Sequence, residues 1–274
     1  MVEYFEDDLA CSYFKEYKCI IPAARPFKIV GQAKKAVLLI HGYLGYPGEL
    51  VRPAIDLANQ GFDVYVPRLP GMGTMKKFAK KVRYDICLDY LTKFYASISK
   101  KYTNIDVLGH SAGSVLAVML AKKVKCNRLV LVAPAFSMPQ FKPFPIYASS
   151  LFRTAIKVKW QSDPSFNLHY EGESNDQLLG KQYWSFFFPR VALSLLKMQN
   201  DALKTIKKLK NDTLIITCAL DDITDGSVCS SLIKKKKGKN SIVEISNATH
   251  FVFYDRDPKA EETAVVKCLE FLLK

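Results

Sequence analysis

Short apolar runs alternate with helix-like segments along most of this 274-residue chain. The runs are rich in leucine, isoleucine and valine, and they fall at residues 36–40, 62–66, 105–108, 129–132, 214–216 and 242–245. Strands that are buried on both faces by crossover helices read as continuous apolar runs, whereas strands with one face in water alternate apolar and polar residues. The pattern therefore predicts an α/β fold with a mostly parallel central sheet flanked by helices.

Apolar residues at helical spacing fill the stretches between the predicted strands. We expect helices at residues 50–59, 84–100, 114–123, 228–236 and 259–273. The last helix has the clearest start, with Asp257 as the N-cap and Pro258 at the first helical position. The amino-terminal stretch is harder to interpret, but a helix there would carry Tyr13, Phe14 and Tyr17 on an apolar face that packs on the body of the protein.

The alternation breaks once, between residues 137 and 210. This stretch is rich in aromatic residues and proline and has no clear strand run. An insertion between two sheet strands is the simplest account. We therefore assign residues 1–136 and 211–274 to the core, and residues 137–210 to a helical lid with its return helix. The aromatic side chains would form the small core of that lid, line a cleft beneath it, or do both.

A serine between a predicted strand and a predicted helix is the strongest chemical signal. Gly109, Ser111 and Gly113 form the pattern G-x-S-x-G there. A serine hydroxyl is a poor nucleophile unless a sharp strand-to-helix turn carries it towards a base, and such a turn admits only small neighbours. The helix also points the positive end of its dipole at the site. The pattern also arises by chance, but this position favours Ser111 as a nucleophile.

The loop after the first strong strand predicts part of an oxyanion hole. Two backbone N–H groups aimed at the oxyanion of a tetrahedral intermediate contribute several kcal/mol in acyl transfer. One would come from Ala112, directly after the nucleophile. The other would come from Tyr43, because Gly42 and Gly45 let this loop bend close to a bound carbonyl. The alternative is an ordinary strand-to-helix turn in which His41 hydrogen-bonds locally.

A nucleophilic serine needs a base, and one of the four histidines is suitably placed. His41 and His110 lie inside the two motifs already assigned, and His169 lies in a polar stretch of the insertion. His250 follows the last predicted strand, on a loop at the carboxyl edge of the sheet where Ser111 also lies. We predict that His250 is the general base.

Three carboxylates follow the strand predicted at residues 214–216. Asp221 is our first choice for the group that accepts the imidazole N–H, fixes its tautomer and stabilises the imidazolium. The neighbouring Asp222 stays open as an alternative. Asp222 and Asp225 otherwise suit solvated loop or helix-capping positions.

Together these motifs resemble the carboxylesterase and monoacylglycerol lipase branch of the α/β-hydrolase superfamily. The resemblance spans residues 26–274 and rests on Leu39-Ile-His41-Gly42-Tyr43, Pro67-Arg-Leu-Pro-Gly71-Met72-Gly73-Thr74, Gly109-His-Ser111-Ala-Gly113, Asp221 and His250, in the chain order serine, aspartate, histidine. It implies the α/β-hydrolase fold, a lidded acyl pocket, no cofactor or metal, and a two-step acyl-enzyme mechanism. The chain departs from the family pattern at Met72, Cys218 and Thr249, where relatives often have histidine, glycine and glycine.

We accordingly expect a serine carboxylic-ester hydrolase that acts on a small-molecule ester with an apolar acyl group. Two alternatives stay open. A thioesterase or lysophospholipase would use the same triad, and a receptor-like relative would bind a ligand without efficient turnover.

The formal net charge is +14, and the excess is nearly all lysine. Such a charge attracts anionic partners. The lysine clusters lack the interleaved aromatic residues and arginine forks of nucleic-acid readers, so we expect no nucleic-acid partner. Peripheral contact with an anionic membrane surface stays open, and the sequence does not predict an oligomeric state.

The same sequence favours a cytoplasmic location. No apolar run reaches the roughly 18 residues of a spanning helix, and the first residues do not resemble a signal peptide. Seven scattered cysteines without a C-x-x-C pair indicate reduced thiols and not a disulfide framework or a zinc site.

Overall fold

The computed structural model describes residues 2–5, 8–16, 22–32, 35–161 and 178–274. Its strands are β1 (Val2–Tyr4), β2 (Phe27–Ile29), β3 (Ala36–Ile40), β4 (Asp63–Val66), β5 (Ile105–His110), β6 (Leu129–Val132), β7 (Ile156–Lys157), β8 (Phe186–Phe187), β9 (Thr213–Cys218) and β10 (Asn240–Ile245). Eight of them form one sheet in the order β1-β2-β4-β3-β5-β6-β9-β10. The six strands from β4 to β10 in that order run parallel, which confirms the predicted α/β architecture.

Helices connect the parallel strands and cover both faces of the sheet. They are α1 (Cys11–Phe14), α2 (Val51–Asn59), α3 (Lys76–Ala79), α4 (Tyr84–Ile98), α5 (Ala112–Lys123), α6 (Pro143–Phe152), α7 (Pro189–Ile206), α8 (Ser227–Lys234) and α9 (Pro258–Leu272). The start of α9 is as predicted, because the side chain of Asp257 accepts a hydrogen bond from the Lys259 amide and Pro258 is the first helical residue. Within the described ranges, none of the helices combines the length and the hydrophobicity of a membrane-spanning segment.

Every residue of β3 is buried, and its side chains alternate between two hydrophobic cores. Leu38 and Ile40 belong to the core shared with α4, α5 and α7. Val37 and Leu39 belong to the core shared with α2 and α9. A strand packed in this way has no face in water, which is the physical reason for its unbroken apolar sequence.

The two antiparallel strands at one edge were not predicted. β1 pairs with β2, and β2 pairs with β4. Each has only three residues and is partly exposed, so neither produces a continuous apolar run. The expected amino-terminal helix is a single turn, α1. Within it, the Tyr13 hydroxyl donates to Asp89 at 2.9 Å, and Tyr17 lies outside the described residues.

The insertion lies between β6 and β9, as the broken alternation suggested. It contains α6, the long helix α7, a π-helical turn at Gly180–Trp184, and β7 paired antiparallel with β8. The sequence showed no strand run here because each of these two strands has only two residues. Residues 162–177, including His169, lie outside the described residues, and the division into core and lid stays a prediction.

Candidate active site

A sharp turn joins β5 to α5 and places Ser111 at its apex. Ser111 has φ 55° and ψ −122°, a left-handed conformation that is costly for a residue with a side chain. A Cβ atom on Gly109 would overlap the carbonyl of Gly113, and one on Gly113 would overlap the carbonyl of Ile40. The two glycines are therefore needed for the elbow and its close approach to β3.

Ser111, His250 and Asp221 form one hydrogen-bonded chain. The Nε2 atom of His250 lies 2.8 Å from the Ser111 hydroxyl oxygen, and its Nδ1 atom lies 2.8 Å from Oδ2 of Asp221. Ser111 is 6% exposed and His250 is 3% exposed, so water competes little for these bonds. The structure thus brings together three side chains that the sequence placed up to 139 positions apart.

Asp221, and not Asp222, contacts the imidazole. Burial would raise the pKa of the Asp221 carboxyl, but hydrogen bonds from His250 and Thr224 outweigh it and hold that pKa below its usual value. The amides of Ile223 and Thr224 also donate to Asp221 Oδ1 at 2.8 Å. Asp222 is exposed, and Asp225 accepts from the Ser227 amide at the start of α8.

His110 supports the loop that carries His250, a contact that sequence analysis missed. Its Nε2 atom lies 2.8 Å from the backbone oxygen of His250. Since a carbonyl only accepts, Nε2 carries the proton. Burial lowers the pKa of His110 to about 3, so the ring stays neutral. The pattern G-x-S-x-G leaves this position unspecified, and the contact is 140 residues away in sequence.

The loop predicted to hold an oxyanion packs directly against Ser111. A Cβ atom on Gly42 would lie 3.6 Å from the Ser111 hydroxyl oxygen. Tyr43 follows Gly42, and among the described residues its amide donates to no backbone carbonyl. Ala112 is the first residue of α5, where an amide has no partner within the helix. Both expected donors therefore lie beside Ser111 with unused backbone N–H groups.

His41 does hydrogen-bond locally, as the alternative for this loop proposed, and that contact coexists with the loop's position at Ser111. Its Nδ1 atom lies 3.3 Å from the Gly42 oxygen, and its Nε2 atom accepts from the Leu69 amide at 3.1 Å. Burial lowers the pKa of His41 to about 3, which keeps the ring neutral. His41 thus ties the loop after β3 to the loop after β4.

Two side chains of the insertion hold the next residue of the same loop. Leu44 has φ 51°, again in the left-handed region. Its carbonyl accepts from the Tyr183 hydroxyl at 3.1 Å and from the Trp184 indole N–H at 2.9 Å. The Tyr183 oxygen in turn accepts from the Gly73 amide at 3.0 Å. From the sequence, the aromatic residues of the insertion were expected only in a lid core or a cleft wall, because no local pattern reveals a contact 139 or more residues away.

A cavity of about 430 Å³ lies beside Ser111 and His250. Much of its wall is aromatic and comes from the loop after β3 and from the insertion, through Tyr43, Tyr46, Phe141, Trp160, Trp184 and Phe187. Glu49, Gln140 and Gln161 add polar groups. Such a space suits an apolar ligand that is oriented by a few polar contacts. No group of three or more metal-ligating side chains occurs within the described ranges.

The family model Hydrolase_4, described as serine aminopeptidase, S33, matches residues 31–257. A thermostable monoacylglycerol lipase from Bacillus sp. (strain H-257) is 28% identical over 103 residues, which cover 38% of this chain and 41% of that lipase. The chain therefore spans less than half of the length of this curated relative.

Solved structures share the fold across nearly the whole chain. The structure reported with LipS and LipT, two metagenome-derived lipolytic enzymes, has a TM-score of 0.77 at 18% identity and covers 92% of this chain and 98% of its own. The monoacylglycerol lipase of Paleococcus ferrophilus has a TM-score of 0.72 at 18% identity, and the match covers 89% of this chain and 96% of that lipase. These likenesses confirm the predicted α/β-hydrolase fold.

Proposed function

Because the chain belongs to the serine aminopeptidase S33 family of hydrolases, we propose that it is a serine hydrolase that cleaves carboxylic esters through an acyl-enzyme on Ser111. The observation that carries this proposal is the chain of two 2.8 Å contacts from Asp221 through His250 to Ser111, at the edge of an aromatic cavity. Nucleophile, base and orienting acid are the three groups that acyl transfer through serine requires.

In the first step, the Ser111 hydroxyl oxygen attacks the ester carbonyl carbon, and its proton passes to Nε2 of His250. Asp221 keeps the Nδ1 proton of the imidazole in place and stabilises the imidazolium that forms. The lowered pKa of Asp221 suits this role, because the carboxyl stays ionised near neutral pH.

The oxyanion formed by this attack would accept hydrogen bonds from the amides of Tyr43 and Ala112. Collapse of the tetrahedral intermediate breaks the ester C–O bond, and the leaving alcohol takes the proton from His250. A water molecule then attacks the acyl-enzyme, gives its proton to His250, and releases the carboxylic acid as Ser111 recovers its proton. The sequence of steps needs no cofactor.

The cavity wall favours an apolar acyl group over a sugar or a peptide. Residues 137–210 would act as the lid of this acyl pocket, since Phe141, Trp160 and Phe187 reach the cavity from that segment. The related lipases bear names that point to monoacylglycerols. We therefore propose acyl esters of small alcohols as the substrate class.

A second candidate is cleavage of the amide bond after an amino-terminal residue, because the family description names an aminopeptidase. One observation favours it: Glu49, which is 7% exposed, lines the same cavity. A buried carboxylate can pair with the ammonium group of an aminoacyl substrate. Parallel assays with p-nitrophenyl acyl esters and aminoacyl p-nitroanilides separate the two candidates, since each predicts the higher kcat/KM on its own substrate.

The direct test is turnover of short p-nitrophenyl esters and of monoacylglycerols by the unmodified chain and by Ser111→Ala. We expect kcat to fall by roughly 10⁶-fold in the variant, as when other triad nucleophiles are removed. Thioester and lysophospholipid substrates in the same series test the alternatives that use the same triad. Turnover that survives the substitution would end the proposal.

We also propose a cytoplasmic location. Six cysteines lie in the described residues, and all six are free thiols; Cys19 lies outside them. Free thiols persist in a reducing compartment. Cell fractionation with a thiol-reactive label checks this, because the proposal predicts a reduced protein in the cytoplasmic fraction.

A further inference from the structure

One side of α6 is apolar and exposed. Phe144 is 80% exposed, Tyr147 53%, Leu151 56% and Phe152 87%. These four positions are spaced i, i+3, i+7 and i+8, so they lie along one face of the helix. The buried residues of α6, Ile146 and Ser150, occupy the other side. The helix therefore presents four large apolar groups outward and buries one, Ile146, whereas a surface helix usually turns its apolar face to the core.

This face has no charged residue within the helix itself. Folded proteins expose single hydrophobic residues commonly, but a contiguous group of this size usually marks a surface that binds something. A helix of ten residues is too short to cross a bilayer. It is long enough to lie in a membrane interface with its apolar side inserted.

The charges around α6 identify the kind of partner. Lys142 precedes the helix and Arg153 follows it, and both are exposed. The described parts of the insertion, residues 137–161 and 178–200, contain seven basic residues, all exposed, and no aspartate or glutamate: Lys142, Arg153, Lys157, Lys159, Lys181, Arg190 and Lys197. The insertion's acidic residues before position 201 all fall in residues 162–177, outside the described part.

We propose that Phe144, Tyr147, Leu151 and Phe152, together with Lys142 and Arg153, form a docking face for an anionic lipid bilayer. The aromatic and leucine side chains would enter the boundary between headgroups and acyl chains, while the flanking cations pair with lipid phosphates. Pairing of this face with a second copy of the chain is disfavoured, because it would bring two clusters of like charge together.

The docking face adjoins the cavity along the chain. Gln140 and Phe141 line the cavity beside Ser111, and α6 begins two residues later. Docking would therefore bring this wall of the cavity close to the bilayer, where amphiphilic esters partition. Binding of this face to a bilayer does not require ester hydrolysis, so vesicle binding and the proposed function can fail independently.

Cosedimentation with lipid vesicles tests the docking face on the full chain carrying Ser111→Ala, which cannot turn over lipid. The vesicles are phosphatidylcholine alone or phosphatidylcholine with phosphatidylglycerol, at low and high salt. Two pairs of variants are built on this Ser111→Ala parent.

The phenylalanine variant adds Phe144→Ser and Phe152→Ser. Its control adds Ile55→Ser and Val266→Ser, which replace exposed apolar residues of α2 and α9. The charge variant adds Lys142→Gln and Arg153→Gln. Its control adds Lys234→Gln and Lys235→Gln, which replace exposed lysines near the end of α8.

We expect the parent, which carries Ser111→Ala alone, to bind the anionic vesicles and to bind them more weakly at high salt. The double phenylalanine variant should lose at least about tenfold in partition coefficient, even if its two rings insert only partly. The charge variant should lose about fivefold per cation removed, on anionic vesicles only. Both controls should match the parent, and unchanged melting temperatures would show that all variants are folded.

Three results would overturn the proposal. The parent could stay in the supernatant with both vesicle types. The phenylalanine variant could bind as tightly as its control. Sedimentation equilibrium without lipid could show a parent dimer that the phenylalanine variant dissociates while vesicle binding stays unchanged, which would assign the face to a second copy of the chain.

Discussion

The two sides of Ser111 are held by different parts of the molecule. On the side of His250, the supports come from the sheet and the loops at its edge: the Ser111 amide donates to the Val132 carbonyl at 2.9 Å, and His110 contacts the backbone of His250. On the side of the predicted oxyanion hole, the Leu44 carbonyl is held by Tyr183 and Trp184 of the insertion. Ser111 and His250 thus depend on the sheet and its edge loops, whereas the loop that carries Leu44 also depends on the insertion.

The difference separates two tasks at Ser111: placing the reacting side chains, and shaping the loop and cavity beside them. Changes in the core should lower kcat on every substrate, because they remove or misplace the reacting groups. Changes in the insertion should act more gently, through the geometry of the oxyanion loop or the shape of the cavity. Four substitutions test that division, in order of decreasing effect on kcat.

The carboxylate pair after β9 gives the largest contrast. Asp221→Asn removes the acceptor that fixes the His250 tautomer, and we expect kcat to fall by roughly 10⁴-fold. Asp222→Asn changes an exposed neighbour that does not contact the imidazole, and should leave kcat within a few-fold. Steady-state kinetics on one p-nitrophenyl ester measures both. Equal losses, or a larger loss at Asp222, would contradict the assignment of the acid.

Gly113→Ala tests the elbow. The new methyl group would overlap the backbone carbonyl of Ile40, so the turn must shift. We expect a stability loss of about 1–3 kcal/mol and a fall in kcat of about 10²-fold from misplacement of Ser111. Gly226→Ala is the control, because the three atoms nearest to its new Cβ all belong to the Thr217 side chain, the closest at 3.0 Å, and none is a backbone atom. Thermal melting and kcat together measure the outcome, and an elbow that tolerates alanine would show that the close approach to β3 is not required.

Tyr183→Phe tests whether the insertion supports the oxyanion loop. The substitution removes a hydrogen bond to Leu44 and one from Gly73, and we expect kcat to fall about tenfold with little change in KM. Tyr84→Phe is the matched control, since the buried Tyr84 hydroxyl has no hydrogen-bond partner in the described part of the chain. A loss that appears in KM instead of kcat would place Tyr183 in substrate binding.

Phe141→Ala should have the smallest effect and should depend on the substrate. Its ring lines the cavity and packs edge-on against Tyr43 at 5.7 Å between ring centroids. Enlarging the cavity here should shift the preferred acyl chain length while changing kcat/KM on short esters only a few-fold. A chain-length series of p-nitrophenyl esters shows the shift. An unchanged preference would mean that the acyl group lies elsewhere in the cavity.

The sequence predicted the core side of the site better than the insertion side. The strands and the residues at their carboxyl ends follow from local patterns: an apolar run, a glycine-flanked serine, and a histidine or aspartate just past a strand. No such local signal exists for the edge strands β1 and β2, for the hydrogen bonds from Tyr183 and Trp184 to the Leu44 carbonyl, or for the outward face of α6. They depend on which segments meet after folding, and in the insertion an aromatic residue can be buried, like Tyr183, or 87% exposed, like Phe152.

The proposed mechanism requires that the hydroxyl of Ser111 is an activated nucleophile. Reaction with a fluorophosphonate probe, followed by mass spectrometry of the labelled peptide, measures this activation. We expect one adduct, on Ser111, which is absent in Ser111→Ala and forms far more slowly in His250→Ala. An adduct on another residue, or labelling that survives either substitution undiminished, would contradict it.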